Sequence, residues 1–140
     1  MRRFFAGMMA ALAVLAMSAC AAREVVEIKE SIFLTQVVDI YRNPKEYLGK
    51  ELRLEGLYMI EEKDGEQKAY VQRYGPSCCT PEKGRPGFEI AWKGEAPEAS
   101  QWVAVRGVLE QYKKDGEQRL RLNVSELAVK EERGEAFVTK

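Results

Sequence analysis

Histidine is absent from the 140 residues of this chain, and the two signs of charge cancel, with 22 Lys and Arg against 22 Asp and Glu. The absence of histidine excludes His-based acid–base catalysis and Ser-His-Asp triads. The balanced charge lacks the basic excess that sequence-independent binding to nucleic acid requires. We therefore expect a protein that is not an enzyme and that does not bind nucleic acid.

Long apolar runs are also missing, apart from one near the N-terminus. Residues 4–17 are apolar, but this run is too short to span a bilayer comfortably. Arg2 and Arg3 precede the run and small residues follow it, which is typical of a secretory signal peptide. We predict a signal peptide over residues 1–19, whose removal leaves a slight acidic excess.

Cys20 directly follows the predicted signal peptide. The four residues that end at Cys20, Met-Ser-Ala-Cys, resemble the lipobox of bacterial lipoproteins, with Met where Leu is commoner. The resemblance implies cleavage before Cys20, a diacylglycerol on its sulfur, an acyl chain on its new amino group, and a lipid anchor in the membrane. By resemblance to Gram-negative lipoproteins, Ala21 and Ala22 imply the outer membrane, with the protein facing the periplasm. The alternative is an ordinary signal peptide cut near Ala22.

The segment after Cys20 has mixed charge and little periodicity. We therefore expect a lipidated tether over residues 20–30 and one folded domain over residues 31–140. Phe33, Val37 and Ile40 fall on one face of a helical repeat, which predicts a helix at the start of this domain.

Beyond this helix, apolar and polar residues alternate, which predicts strands. Two segments are alike, because Gly56 and Gly107 are each followed, eight residues later, by an Asp-Gly pair that favours a tight hairpin turn. A single strand lies between the two hairpins. This arrangement predicts a mainly β fold, a small five-stranded OB-like barrel preceded by the N-terminal helix, with a small sandwich as the alternative. The predicted strands lie within residues 52–56, 68–74, 88–92, 103–109 and 120–124.

Cys78 and Cys79 are adjacent, in a loop rich in proline and glycine. Three interpretations stay open here. The two sulfurs form a strained, easily reduced disulfide; they bind a soft metal ion, zinc or copper, as thiolates; or they pack in the loop and do no chemistry. Because histidine is absent, a closed zinc site would need carboxylates such as Glu82, water or a partner's residues as further ligands.

Aromatic residues occur on the second and third predicted strands. Tyr70, Tyr74 and Trp92 are candidates for a stacking face that binds a small ligand, because OB-folds bind their ligands on these strands. The alternative is that they are ordinary core or edge aromatics.

The cysteine segment carries a family resemblance. Ser-Cys-Cys-Thr at residues 77–80, then Pro86-Gly87 and a strand that ends in Trp92, resemble the C-terminal domain of the YcgQ-type (DUF1980) membrane proteins. Those proteins have a Cys-Cys pair at the matching place. The resemblance covers about residues 33–138 and implies an OB-like fold, and the association of that family with a permease implies metal or solute handling. We expect this chain to differ from those proteins in having a lipid anchor and no membrane helices.

Together, these features predict a membrane-anchored envelope lipoprotein that acts as a non-enzymatic binding module for an envelope protein partner or a small ligand. One alternative is a metal-binding lipoprotein that holds zinc or copper with Cys78 and Cys79. The other is a thiol redox protein that uses the same pair.

Overall fold

The computed structural model describes residues 22–78 and 83–140. The predicted signal peptide lies outside the described residues, as do Cys20, Cys79 and Glu82. In the two described ranges, no helix is long and apolar enough to cross a membrane.

Strands dominate the described part of the chain, so the fold is mainly β, as predicted. A short 3-10 turn at Glu30–Ile32 separates the first strand from the helices. In chain order the elements are β1 (Val25–Glu27), α1 (Phe33–Arg42), α2 (Pro44–Tyr47), β2 (Glu51–Lys63), β3 (Glu66–Gln72), β4 (Gly87–Ala91), β5 (Trp102–Lys114) and β6 (Glu117–Val129).

Five of these strands form a ring of pairings in one mixed sheet. The order is β2–β3–β4–β6–β5, and the ring closes because β2 also pairs with β5. The β4–β6 pair is parallel, and the other four pairs of the ring are antiparallel. Closing the ring leaves few unpaired strand edges that could pair with other chains.

The two predicted Asp-Gly turns join β2 to β3 and β5 to β6. In both turns the Asp and the Gly have positive φ, 53° and 77° at Asp64 and Gly65, and 51° and 79° at Asp115 and Gly116. Asp and Gly tolerate this conformation, which matches the twist of the flanking strands. The register of β5 against β6 also shifts at Gly107, as its mid-strand position predicts.

Helix α1 covers one part of the ring with its apolar face. Phe33, Leu34, Val37 and Ile40 are buried and belong to the same core as the inward-facing residues of the strands. Tyr41 stacks on the ring of Phe88, with the centroids 5.4 Å apart. The apolar face of α1 therefore packs this helix against β4.

The N-terminal segment departs from the prediction of a tether over residues 20–30. Val25–Glu27 forms β1, which pairs in parallel with the first residues of β2, and Ile28 is buried in the core. The folded domain therefore begins before residue 31 and before α1. The sequence did not predict β1, because a strand of three residues shows no periodicity and its pairing partner, β2, begins only at Glu51.

The C-terminal segment docks beside the end of β3. The Tyr74 amide donates to the Ala136 carbonyl at 2.7 Å, and the Val138 amide donates to the Tyr74 carbonyl at 2.8 Å. Val138 is buried, whereas the Phe137 side chain points outward and is 59% exposed. The chain therefore folds back to the loop that contains Cys78.

Candidate functional site

A large recess lies between the two hairpins. We call it the hairpin groove, a cavity of about 800 Å³ that involves the ends of β2 and β5, the starts of β3 and β6, and β4. Its volume falls in the range of ligand-binding clefts. Its lining residues are Tyr41, Pro44, Glu61, Lys63, Asp64, Glu66, Lys68, Tyr70, Glu89, Gln111, Lys114, Asp115, Glu117, Gln118, Arg119 and Leu120.

A polar network crosses the sheet at the groove. The Tyr112 hydroxyl donates to the Glu89 carboxylate and accepts a hydrogen bond from Lys68 Nζ at 3.2 Å. The Arg121 guanidinium lies 4.6 Å from the centroid of the Tyr112 ring, and its Nε donates to Glu110 Oε1 at 2.8 Å. Side chains from four strands, β3, β4, β5 and β6, are thereby held in a fixed relation.

Strand register explains why these residues meet. Glu89 is paired with Arg121, and Arg121 is paired with Glu110, so the three side chains stand in one row across β4, β6 and β5. The row alternates in charge, and opposite charges at facing positions stabilise a sheet by about 0.2–1 kcal/mol a pair. Phe88 and Ile90 flank Glu89 and are buried, so the row lies on the outer face.

An ion pair joins the two hairpins at the groove. Lys114 at the end of β5 contacts Glu66 at the start of β3, although these residues lie in different hairpins. The two side chains are 32% and 55% exposed, so salt will weaken this contact. The ion pair therefore holds the hairpin tips together without fixing them rigidly.

The structure places the three predicted aromatics at separate points of the sheet, and the stacking face stays a prediction. Tyr70 lines the hairpin groove. Tyr74 lies beyond the end of β3 and is 42% exposed. Trp92 lies beyond the end of β4, where its Nε1 donates to the Glu95 carbonyl at 3.0 Å and its ring lines a different cavity.

Cys78 is disulfide-bonded in the structure, and its side chain is exposed. Its loop is closed at the base, because the Gly75 amide donates to the Gly84 carbonyl at 2.9 Å. A bonded sulfur is not a thiolate ligand, and the described residues contain no group of three or more His, Cys, Asp and Glu side chains that could hold a metal ion. Neither Cys79 nor Glu82 can be placed in a site, since both lie outside the described residues.

A second cavity, of about 690 Å³, lies between the N-terminal segment and the sheet, and Arg73 is among its lining residues. Arg73 is 1% exposed, with its guanidinium carbon 4.1 Å from the centroid of Phe33 and 4.8 Å from that of Trp102. Its Nη2 contacts Glu30 Oε2 at 2.6 Å. No pattern in the sequence pointed to this residue.

Two further contacts show that Arg73 is a structural junction. Arg73 also donates to the carbonyls of Glu55 at 3.0 Å and Glu135 at 3.2 Å, so all of its contacts are within the protein. Its hydrogen bond to Glu30 is the main reason why the pKa of that carboxyl lies below its usual value. Arg73 thus ties β2, β3, the 3-10 turn and the C-terminal segment together.

The family model described as DUF1980 C-terminal domain matches residues 10–138. No curated protein matches the chain.

Proposed function

The chain belongs to the DUF1980 C-terminal domain family, and from that premise we propose that it is a non-enzymatic binding module of the bacterial envelope. The hairpin groove is its ligand site. The five-strand ring is an OB-like barrel, in which a groove beside the second and third strands is where ligands bind. Here those strands are β3 and β4, which supply Lys68, Tyr70 and Glu89 to the groove.

One observation carries this proposal, the network in which the Tyr112 hydroxyl contacts both Glu89 and Lys68. Polar side chains that are held by one another lose little further freedom when a ligand binds, so a preformed site costs less to occupy. A solvated surface that served only solubility would not need four strands to hold one set of side chains.

The anchor belongs to the same proposal. Cys20 carries the lipid, and the mature protein faces the periplasm from the outer membrane. If Cys20 is replaced by Ser, we expect the protein to move from the membrane fraction to the soluble periplasmic fraction. If this variant stays in the membrane fraction, the proposal of a lipid anchor at Cys20 is wrong.

The ligand site is tested by amide NMR of the isotope-labelled protein against a panel of neutral oligosaccharides and of peptides of different charge. We expect a binding probe to shift the amides of Lys68, Tyr70 and Glu89. Tyr112→Phe removes only the hydroxyl of the network and should weaken this binding several-fold. Tyr47→Phe is the matched control, since its hydroxyl contacts Asp39 on α1, outside the groove lining.

Two results would count against the groove. In the first, every probe that binds shifts only the amide signals of residues that line the second cavity, beside Arg73. In the second, neither Tyr112→Phe nor Tyr47→Phe changes the affinity for the probe.

A second candidate function, thiol redox chemistry, is favoured by the disulfide at Cys78 and by its exposure. An exposed disulfide is open to attack by a thiolate, and a partner's dithiol would supply the two electrons and two protons of the reduction. We expect an alkylating reagent to label Cys78 only after treatment with a dithiol, as peptide mass spectrometry would detect. Labelling of the untreated native protein would contradict this candidate.

A further inference from the structure

The hairpin groove carries more acid than base. Six of its lining residues are acidic and four are basic. The acidic residues are Glu61, Asp64, Glu66, Glu89, Asp115 and Glu117, and the basic residues are Lys63, Lys68, Lys114 and Arg119. The excess is local, since the charges of the whole chain balance.

Internal contacts neutralise the basic residues more fully than the acidic ones. Lys114 contacts Glu66, Arg119 Nη2 lies 3.6 Å from Glu117 Oε2, and Lys68 donates to a hydroxyl. Lys63 differs from these three basic residues, because no ion pair or side-chain hydrogen bond of Lys63 is found within the described residues.

The acidic side chains without an ion pair occur on both hairpins. In the same described ranges, Glu61, Asp64 and Asp115 make no salt bridge, and all three are exposed. Asp64 and Asp115 sit at the two turns and Glu61 on β2. A cationic ligand in the groove would therefore meet carboxylates from both sides.

The backbone along the groove indicates the shape of that ligand. β4 pairs with β3 from Ala69 onward and with β6 from Arg121 onward. The first residues of both strands, 66–67 and 117–119, are paired with their own hairpin partners on one side, and no second strand of the described chain pairs with their other side. Such strand ends present amides and carbonyls that an extended peptide can pair with.

We propose that the hairpin groove binds an extended basic peptide segment of a partner protein. Glu61, Asp64 and Asp115 contact its Lys or Arg side chains, and the strand ends of β3 and β6 contact its backbone. This inference rests on the proposed function, because it names the ligand class of the same groove.

The test uses three synthetic peptides of about six residues, the length of an ordinary strand. Threonine alternates with lysine in the first, with glutamine in the second and with glutamate in the third. Each is titrated into the labelled full chain in detergent at low and at physiological salt. We expect the lysine peptide to shift the amides of Gln67 and Gln118 and to bind more weakly at the higher salt, because exposed charges are screened.

The matched variants separate groove charge from total charge. The triple variant Glu61→Gln, Asp64→Asn and Asp115→Asn removes the three exposed groove carboxylates that make no salt bridge, and it keeps the turns, since Asn also tolerates positive φ. We expect an affinity loss of about tenfold for the lysine peptide, the combined effect of three exposed ion pairs. The control Glu98→Gln, Glu131→Gln and Glu132→Gln removes the same charge from exposed positions that do not line the groove, and should bind as the unmodified protein does.

Each other outcome overturns the inference. If the glutamine or glutamate peptide binds in the groove as tightly as the lysine peptide, the basic ligand class is wrong but the groove remains a binding site. If both triple variants lose affinity equally, the attraction is to the net charge of the protein. If an oligosaccharide shifts the groove amides and no peptide does, the ligand is not a peptide but the groove is still a binding site, as proposed. If no probe of any class shifts the groove amides, both the peptide ligand and the proposed function are wrong.

Discussion

Gly87→Ala is expected to destabilise the domain by about 3 kcal/mol or more, the largest effect of any substitution that we predict. A Cβ at this position would lie 2.2 Å from the Val71 carbonyl oxygen and 2.6 Å from Gln72 Cα. These are backbone atoms of β3, which pairs with β2 on its other side and cannot give way. The residue also has a φ of +157°, which adds strain for any side chain.

The same substitution would disturb the candidate site. Gly87 begins β4 and its carbonyl accepts a hydrogen bond from the Tyr41 hydroxyl at 2.8 Å, so it positions β4 between β3 and α1. Pushing β4 away from β3 would separate Glu89 from Tyr70, which face each other in the register of these strands. We therefore expect loss of ligand binding in the groove together with loss of stability.

Gly116→Ala is the matched control for this measurement. Gly116 has a φ of +79°, but a Cβ added there would meet no atom within 4 Å, so the cost is backbone strain alone, about 1 kcal/mol. Equilibrium urea unfolding of both variants measures the difference. Equal free energies of unfolding for the two variants would show that the close approach of β3 and β4 at Gly87 is not rigid.

The hairpins could be predicted from the sequence because their determinants are local. An Asp-Gly pair adopts the positive φ values of a tight turn whatever lies elsewhere in the chain, and the alternation on either side of it needs no partner to be recognised. The five strands and their two turns therefore follow from short stretches of sequence. The ring closure between β2 and β5 follows only from the complete sheet.

The candidate site depended on information that no single stretch contains. Glu89, Arg121 and Glu110 stand in one row only because of the registers of two separate strand pairs. Strand ends are hard to predict for a related reason: β3 and β4 end at Gln72 and Ala91, before Tyr74 and Trp92, which the alternation had placed on these strands. Aromatic residues that lie close in sequence to one sheet need not share one of its faces.

Arg73 could not be recognised as buried from the sequence. The sequence places a charged residue near the end of a predicted strand, and charged residues are usually exposed. Its neighbours come from five separate parts of the chain, the 3-10 turn, α1, β2, β5 and the C-terminal segment. The burial of this cation is therefore a property of the assembled fold.

Glu30→Gln is expected to destabilise the domain by about 2 kcal/mol, because it leaves the Arg73 guanidinium buried without its counter-charge. Removing one partner of a fully buried pair costs about 3–5 kcal/mol, and we expect less here because the Glu30 side chain is 48% exposed. The variant also weakens the hydrogen bond at 2.9 Å from the Glu135 amide to Glu30 Oε1. Urea unfolding at neutral pH measures the loss.

The double variant Glu30→Gln with Arg73→Met distinguishes the effect of the unpaired Arg73 charge from other destabilising effects of the Glu30 substitution. Methionine keeps much of the apolar stem of Arg73 between Phe33 and Trp102 and removes the buried charge, so the double variant should be more stable than Glu30→Gln alone. A double variant that is less stable than Glu30→Gln would mean that the hydrogen bonds of Arg73 to the backbone carbonyls of Glu55 and Glu135 matter more than its pairing with Glu30.

Acid provides an independent test of the same pair. The hydrogen bond from Arg73 lowers the pKa of Glu30 from its usual 4.5, and a carboxyl whose pKa is lower in the folded state stabilises the fold above its unfolded pKa. This contribution is lost as the pH falls through the lower, folded pKa. The stability difference between the unmodified protein and Glu30→Gln should therefore be full at neutral pH and narrow below pH 4.5. A difference that stays constant down to about pH 2–3, below the ordinary range of carboxyl pKa values, would show that the charge of Glu30 does not stabilise the buried Arg73.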